Sequence, residues 1–225
     1  MEKITEGKTK DLYKLDDGNY QLVFKDDMTG TNGVFDPGAN TVGLTVDGAG
    51  IAGLEMSVYF FKVLEDKGYK TQFISTENNK MTIKPASIFG KGLEVICRFV
   101  ATGSLIRRYG EFITEGSRLD SLVEMTLKND EGGDPLITED SLIAIGILKP
   151  GEYSKLKKLT QEISKIIKDD LAEKNLELWD IKLEFGKDPN GEIILIDEIS
   201  GGNMRVKRDG VTVSPLELSA LITQT

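Results

Sequence analysis

The strongest constraint on the fold is an alternating segment that covers residues 179 to 185. Charged and apolar residues alternate in it, in the order Trp-Asp-Ile-Lys-Leu-Glu-Phe. Successive side chains of a β-strand point to opposite faces, so the pattern predicts a strand with one apolar and one charged face. The charged face carries Asp180, Lys182 and Glu184. The chain must therefore build a sheet around this strand, with its apolar face in a core.

A second strand is predicted directly after the first. The turn signal Lys-Asp-Pro-Asn-Gly at 187–191 precedes the apolar run at 193–196, which ends at Asp197. The predicted hairpin gathers three carboxylates and one ammonium group, which is costly unless a cation, a substrate or a phosphate shares the site. Two interpretations stay open here: a solvated, salt-bridged outer face, or a metal–phosphate site.

The register of this hairpin decides whether Glu184 and Asp197 can share a cation. If facing residues have numbers with an even sum, a regular hairpin places these two side chains on opposite faces. A shared cation therefore requires an odd-sum register, or an Asp197 that lies just beyond the paired strand.

Composition narrows the chemistry. The 225-residue chain has no histidine, so the commonest general base and transition-metal ligand are absent. Its reactions must use carboxylates, lysines, arginines and a hard cation such as Mg²⁺. The net charge of −9 argues against nucleic acid as the main partner. The single cysteine, Cys97, excludes an internal disulfide and fits a cytoplasmic location.

Membrane association and secretion are not expected. The longest apolar runs are far shorter than the about 20 residues that a membrane span requires. The N-terminus lacks the apolar core of a signal peptide.

The pattern along the chain predicts two parts. Short strands, including a hairpin at 11–25, and one helix around 54–64 make up the first eighty-odd residues. Residues 28–53 have no clear period and are expected to be a long loop or a poorly regular segment. A segment at 85–92 is expected to connect the two parts and leads to a strand at 93–100. The clearest helix covers 152–174.

Two further groups of residues suit phosphate. Lys8 and Lys10 lie beside Gly7 before a predicted strand and suit a polyphosphate, although a solvated strand is the alternative. Arg98 ends a predicted strand, and Ser104 opens a predicted helix. A guanidinium, a hydroxyl and helix N-terminal amides together predict a monophosphate site.

Taken together, four blocks resemble the SAICAR synthetase (phosphoribosylaminoimidazole-succinocarboxamide synthase) family. In chain order they are Glu6-Gly-Lys-Thr-Lys; Arg98 with Gly103-Ser-Leu and Arg108-Tyr-Gly; Lys128-Asn-Asp130 with Asp134-Pro; and Asp180-Ile-Lys-Leu-Glu-Phe-Gly with Asp197-Glu-Ile-Ser and Arg205. Their order and spacing match the family over most of the chain.

The resemblance implies an α+β fold in two parts. A mostly antiparallel N-terminal sheet, residues 1–84, would cover the nucleotide, and a larger α/β part, residues 85–225, would bind substrates and metal. ATP would lie in a cleft between them, as in ATP-grasp enzymes and protein kinases.

The implied activity is that of an ATP-dependent carbon–nitrogen ligase of purine biosynthesis. It would join carboxyaminoimidazole ribonucleotide and L-aspartate to give SAICAR, ADP and phosphate through an acyl phosphate. Its partners would be ATP, the ribonucleotide and the amino acid, with Mg²⁺ as cofactor. The sequence does not fix the oligomeric state, for which a homodimer is one option.

The resemblance also assigns roles at matching positions. Residues on the ATP side would be Lys8, Lys10, Lys128, Glu184 and Asp197, the last two as magnesium ligands. Residues that grip the ribonucleotide phosphate would be Arg98, Ser104 and Arg205. The catalytic set around the imidazole and the reacting carboxylate would be Asp180, Lys182 and Glu184.

Four segments depart from the family pattern. Residues 201–204 replace a Pro-Asp element, which removes an expected carboxylate and is expected to loosen the loop. Residues 47–53 replace a lysine-glycine and asparagine element, Gln72 replaces a histidine, and the end after Arg205 is short. These departures leave two alternatives open: a paralogous ATP-dependent amide ligase for a related acid or a different amine, and a non-catalytic nucleotide-binding relative.

Overall fold

The structure, a computed structural model, describes residues 1–39, 41–129 and 132–223. Its first sheet is antiparallel and contains β1 (Glu2–Glu6), β2 (Lys10–Lys14), β3 (Tyr20–Phe24), β7 (Phe73–Glu77) and β8 (Lys80–Ile83), in the order β1-β2-β3-β8-β7. The predicted hairpin at 11–25 is β2 and β3, which pair antiparallel. We call this layer the N-terminal sheet.

Residues 28–53 are more regular than predicted. They contain β4 (Asp27–Thr31), β5 (Val34–Phe35) and β6 (Val42–Thr45), which form a separate three-stranded sheet in the order β5-β4-β6. The strands approach so closely that a Cβ on Gly43 would overlap the backbone of Gly30. The glycines that permit this pairing also hide the strand period, because they add no apolar side chain to it. We call this layer the flap sheet.

The helix predicted around 54–64 is confirmed as α1 (Ala49–Asp66). It starts after Gly48, whose φ of 83° is accessible to glycine without strain. Its buried side chains include Leu54, Phe60, Phe61 and Leu64. Helix α1 packs against α5 (Pro215–Thr223) at the end of the described chain.

The second sheet is the larger one, and its pairings are also antiparallel. It is formed by β9 (Ser87–Ile88), β10 (Leu93–Val100), β11 (Arg118–Leu127), β12 (Glu177–Lys187), β13 (Ile193–Ile196), β14 (Met204–Arg208) and β15 (Val211–Thr212). The order β11-β10-β12-β14-β15 makes β12 central, and β13 and β9 pair with the other end of β12. We call this layer the large sheet.

Three helices accompany the large sheet: α2 (Ser104–Tyr109), α3 (Glu139–Ala144) and α4 (Glu152–Glu173). The predicted helix at 152–174 is α4, which buries Leu156, Ile163, Ile167 and Leu171 and packs on β10 and β12. The α+β class is confirmed.

The domain boundary after residue 84 stays a prediction. The strands support it, because the N-terminal sheet ends at Ile83 and the large sheet begins at Ser87. The helices argue against a sharp boundary, because α5 of the second part packs on α1 of the first. Within the described residues, no helix is both long enough and apolar enough to cross a membrane.

Candidate active site

Strand β12 lies at the centre of the site, and its charged residues share one face with neighbouring strands. Across the β10–β12 pair, Glu94 faces Glu184, Ile96 faces Lys182 and Arg98 faces Asp180. Directly paired residues project to the same side of a sheet, so these side chains form two adjacent rows.

This face borders a cleft of about 760 Å³, with the N-terminal sheet and the flap sheet on its other side. The Asp180 side chain is only 5% exposed and the Glu184 side chain 11%. The interpretation of a solvated outer face is therefore wrong. The opposite face is apolar as predicted, with Ile181, Leu183 and Phe185 buried.

Trp179 is an exception to the predicted alternation. A register shift between Leu178 and Asp180 interrupts the β12–β14 pairing, and Leu178 is the buried residue. Trp179 is half-buried, and the ammonium of Lys207 lies 3.5 Å from its ring centroid.

The register of the β12–β13 hairpin matches the second of the two predicted alternatives. Glu184 pairs with Ile196, an even sum, so a continued strand would turn the next side chain away from Glu184. Strand β13 ends at Ile196, however, and Asp197 has a φ of 64°. Aspartate tolerates this left-handed conformation better than most residues do. The turn of the backbone at Asp197 brings its carboxylate into the cleft with that of Glu184.

Gln72, one of the positions that depart from the expected pattern, supports this turn. Its buried side-chain amide donates a hydrogen bond of 2.8 Å to the backbone carbonyl of Asp197. The sequence showed that this position was unusual but gave no sign of its partner.

Lysines surround the two carboxylates. Lys10 Nζ lies 3.3 Å from Asp197 Oδ1 and 2.5 Å from Glu198 Oε1, and Lys128 Nζ lies 3.3 Å from Glu184 Oε1. Burial alone would lower the pKa of Lys10, but Asp197 and Glu198 raise it above its ordinary value. Glu184 raises the pKa of Lys128. Both lysines therefore stay cationic at neutral pH.

The two carboxylates differ in their affinity for protons. Burial and the negative charge of Asp197 raise the pKa of Glu184. Burial also acts on Asp197, but the cationic Lys10 outweighs it and lowers the pKa of this carboxyl. Such a pair benefits from an added positive charge.

Lys182 depends on a residue that the sequence analysis did not select. Glu94 is buried, accepts a hydrogen bond of 2.7 Å from Lys182 Nζ, and accepts another of 3.0 Å from Thr126 Oγ1. Burial would lower the pKa of Lys182, but Glu94 and Glu184 raise it. The sequence could have indicated Glu94, because Glu94 and Arg98 lie four positions apart in one predicted strand and therefore project from the same face.

Among the residues that the structure describes, Arg98 is the largest fully buried side chain. It donates hydrogen bonds to Asp180 Oδ2 at 2.6 Å, Glu124 Oε2 at 2.8 Å, Ser104 Oγ at 2.7 Å and the carbonyl of Thr102 at 3.3 Å. Four of the five N–H groups of a guanidinium are thus used within the described residues. Arg98 therefore links β10, β11, β12 and the start of α2, and one of its N–H groups has no partner among the described residues.

Arg205 retains more donors. It lies directly opposite Asp180 across the β12–β14 pair, and its Nη1 donates to Asp180 Oδ2 at 2.8 Å. Its Nη2 donates to Asp36 Oδ1 at 2.8 Å. Asp180 Oδ1 is buried and has no hydrogen-bond partner among the described residues. The arginine cluster, defined here as Arg98, Asp180 and Arg205, can therefore offer both donors and an acceptor to a ligand.

The other predicted residues lie around the two carboxylates with their lysines and around the arginine cluster. Lys8 and Ser104 line the cleft, and α2 begins at Ser104 as predicted. Arg107 and Arg108 both line the cleft, and Arg108 also pairs with Glu124 at 2.6 Å. Of the block at 128–130, Asp130 lies outside the described residues.

The loop with two glycines is not loose, contrary to expectation. The side chain of Asn203 accepts a hydrogen bond from the backbone N–H of Ser200 and donates one to the carbonyl of Glu198. Ser200 Oγ accepts from the backbone N–H of Gly202. At Gly201, a Cβ would come within 2.6 Å of Pro215, so close packing explains the glycine.

Comparison with known proteins agrees with this geometry. Residues 3–211 match the SAICAR synthetase family. The chain belongs to this family. It is 55% identical to the phosphoribosylaminoimidazole-succinocarboxamide synthase of Clostridium tetani, with 100% of both chains covered. The relative of the same name from Finegoldia magna is 39% identical, over 92% of this chain and 85% of that protein.

Solved structures of the family share the fold. A SAICAR synthetase (Type-2) in complex with ADP superposes with a TM-score of 0.87 at 33% identity, and covers 98% of this chain and 97% of that one. The Pyrococcus horikoshii enzyme gives a TM-score of 0.83 at 32% identity. The four departures therefore do not set this chain apart from the family, and neither the paralogous ligase nor the non-catalytic relative gains support.

Proposed function

We propose that this protein is an ATP-dependent carbon–nitrogen ligase of purine biosynthesis. It joins carboxyaminoimidazole ribonucleotide and L-aspartate to give SAICAR, with release of ADP and phosphate. The curated relatives that match along the chain carry the name of this activity. The observation that carries the proposal is that one cleft holds two adjacent sets of charges, acidic residues with lysines and arginines with Asp180.

Mg²⁺ fits the part of the cleft that holds Glu184 and Asp197 with Lys10 and Lys128, which we call the acidic half. Within the described ranges, no three or more Asp, Glu, Cys or His side chains form a ready-made cation cage. Magnesium is usually held by one or two carboxylates together with substrate phosphates, so Glu184 and Asp197 suffice when ATP is present. A bound Mg²⁺ would neutralise charge on the phosphate oxygens during phosphoryl transfer.

The lysines around the carboxylates suit the ATP phosphates. Lys10 and Lys128 contact the proposed magnesium ligands, so their ammonium groups would be available to a triphosphate bound with magnesium there. Lys8 lines the same cleft. Their fixed positive charges stabilise the negative charge that develops on the transferred phosphoryl group.

The arginine cluster suits the ribonucleotide. Arg205 and Ser104, with the remaining N–H of Arg98, would bind its phosphate as charge-assisted donors. Asp180 Oδ1 would accept a hydrogen bond from the substrate. Lys182 lies between the cluster and Glu184 on β12, where its ammonium can bind the carboxylate that reacts.

The proposed reaction has two steps, as the resemblance to the family implies. An oxygen of the ribonucleotide carboxylate attacks the γ-phosphorus, the bond to the ADP oxygen breaks, and an acyl phosphate forms. The amine of L-aspartate then attacks the acyl carbon, phosphate leaves with its bonding electrons, and the amine releases a proton. The cleft contributes position and charge to both steps.

A direct assay tests the proposal. The purified protein is mixed with MgATP, carboxyaminoimidazole ribonucleotide and L-aspartate, and ADP and SAICAR are both quantified. We expect equimolar ADP and SAICAR, no ADP above background without the ribonucleotide, and at most about one equivalent of ADP per enzyme without L-aspartate. Absence of SAICAR under saturating conditions would refute the proposal.

Location and assembly complete the proposal. A cytoplasmic enzyme agrees with the buried, unpaired Cys97, and a homodimer is the assembly that we would test first, by light scattering.

A further inference from the structure

One ion pair links the flap sheet to the arginine cluster. Asp36 lies between β5 and β6, and its Oδ1 accepts a hydrogen bond of 2.8 Å from Arg205 Nη2. The side chain of Asp36 is 40% exposed and that of Arg205 is 22% exposed. Among the described residues, this is the only hydrogen-bonded link between the flap sheet and the large sheet.

The turn around Asp36 is built to present this carboxylate. The backbone N–H of Asp36 donates to the carbonyl of Thr29, and Thr29 Oγ1 donates to the carbonyl of Asp36. The N–H of Gly38 donates to Asp36 Oδ1 at 2.9 Å. A Cβ on Gly38 would lie 3.2 Å from Arg205 Nη2, so a larger residue would crowd the guanidinium.

The other end of Arg205 is fixed to the large sheet. Its Nη1 donates to Asp180 Oδ2, which also binds the buried Arg98. Asp36 is thus a carboxylate on the guanidinium group that the proposed function gives to the ribonucleotide phosphate. Two anions cannot share the same donor without mutual repulsion.

We propose that Asp36 is an internal competitor of the substrate phosphate at Arg205. When the phosphate binds, it takes over Nη2, the Asp36 ion pair breaks, and the flap sheet loses its link to the large sheet. The pair therefore reduces the affinity for ribonucleotide and couples its binding to release of the flap. This inference rests on the proposed function, which assigns a phosphate to Arg205.

A substitution that removes the charge of Asp36 shows whether this carboxylate competes with the phosphate for Arg205 or supports Arg205 during binding. In Asp36→Asn we expect KM for the ribonucleotide to fall about two- to fivefold, the range for one partly exposed ion pair, with kcat little changed. Asp36→Glu keeps the charge and should keep a KM close to that of the wild type. Asp27→Asn is the matched control, because it removes the same charge from the flap sheet at a side chain that bonds Thr45 instead of Arg205.

A higher KM in Asp36→Asn would overturn the inference, because it would show that Asp36 supports Arg205 during binding. An equal fall of KM in Asp27→Asn would also overturn it, since the effect would then be one of general charge.

Hydrogen exchange tests the coupling without turnover. Ribose 5-phosphate serves as the probe, with no ATP present. We expect it to accelerate amide exchange in residues 29–39 and 41–45 of the wild type. In Asp36→Asn, exchange there should be fast from the start and insensitive to the probe. Slower exchange on addition of the probe would mean that the flap closes on the ligand, and would contradict the inference.

The proposed function and this inference can fail separately. A wild-type protein that forms SAICAR, together with an Asp36→Asn variant of unchanged KM, removes only the inference. A wild-type protein that makes SAICAR but does not bind ribose 5-phosphate refutes the placement of the phosphate and the inference with it. A protein that binds ribose 5-phosphate but makes no SAICAR refutes the proposed function alone.

Discussion

The arginine cluster and the acidic half of the cleft differ in how their charged side chains are paired. In the arginine cluster, Arg98 is almost entirely enclosed and most of its N–H groups are bound by Asp180, Glu124, Ser104 and Thr102. In the acidic half, Lys128 remains 47% exposed and contacts Glu184 at a long 3.3 Å. The protein itself thus binds most donors of Arg98, whereas Lys128 has more room for a ligand.

This difference separates structural from chemical roles. A closed network of buried charges resists rearrangement, and loss of one member leaves the others unpaired. An open group of lysines and carboxylates can exchange its partners for phosphate and a cation. We therefore expect substitutions in the arginine cluster to affect stability first, and those in the acidic half to affect turnover first.

The largest effect is expected from Arg98→Met. It leaves Asp180 and Glu124 buried without their main partner, and loss of one member of a buried ion network costs about 3–5 kcal/mol of unfolding free energy. Chemical denaturation followed by circular dichroism measures this loss. Arg118→Met is the control, because Arg118 is exposed and pairs with Glu177 at the surface. A stable Arg98→Met protein would show that the network is not structural.

The next effect is expected from Glu184→Gln and Asp197→Asn. Each removes one proposed magnesium ligand, and loss of a group that stabilises transition-state charge lowers kcat about 10²–10³-fold. Asparagine also tolerates the left-handed backbone at residue 197, so the fold should be kept. ADP release and thermal melting measure the two properties, and chelation of magnesium should also abolish turnover.

Glu192→Gln is the matched control for these variants. Glu192 belongs to the same β12–β13 hairpin but pairs with Lys70 outside the cleft. It should keep wild-type kcat. Unfolding of both Glu184→Gln and Asp197→Asn would indicate a structural role for these carboxylates.

A smaller effect is expected from Glu94→Gln, which weakens the hold on Lys182. Loss of one charge-assisted hydrogen bond predicts a fall of about tenfold in kcat/KM. Glu94 raises the pKa of Lys182, so its removal lowers that pKa. Because the cationic form of Lys182 is needed, the alkaline limb of the pH–rate profile should move to lower pH.

Thr126→Val gives the graded comparison for Glu94→Gln. It removes only the hydroxyl that donates to Glu94 Oε2, so Lys182 keeps its partner. We expect a smaller loss of kcat/KM and no shift of the alkaline limb. An unshifted limb in Glu94→Gln would mean that Glu94 acts through packing alone.

The smallest effect concerns Cys97, which lies in the core behind the arginine cluster. Burial raises the pKa of its thiol to about 11. The thiol of the unfolded chain ionises near pH 8.5, so its contribution to stability is present below that pH and is lost as pH rises towards 11. Comparison of unfolding free energies of wild type and Cys97→Ala between pH 8 and 10 should show a steeper decline in the wild type. Equal slopes would contradict the raised pKa.

The sequence predicted the central strand of the site because its signal is local. Alternation at 179–185 identified the face with Asp180, Lys182 and Glu184, and the parity of the hairpin limited where Asp197 could lie. Both inferences use only the period of a strand, which holds from Asp180 to Phe185 and fails at Trp179, where the pairing with β14 shifts register.

The missed features depend on distant residues. The links of Gln72 to Asp197 and of Asp36 to Arg205 join segments separated by 125 and 169 positions. No local pattern encodes such pairs. The flap sheet was missed for a different reason, since its strands are two to five residues long and two of the three contain glycine. The tightness of the 198–203 loop comes from side-chain hydrogen bonds that its two glycines do not reveal.

The most direct test of the central claim, that one cleft has two separable halves, is a crossed binding measurement. MgADP and ribose 5-phosphate are each titrated calorimetrically into wild type, Glu184→Gln and Arg205→Met. The account predicts that Glu184→Gln weakens MgADP about tenfold or more and leaves ribose 5-phosphate within about twofold, and that Arg205→Met does the reverse. Equal weakening of both ligands by each variant would contradict it.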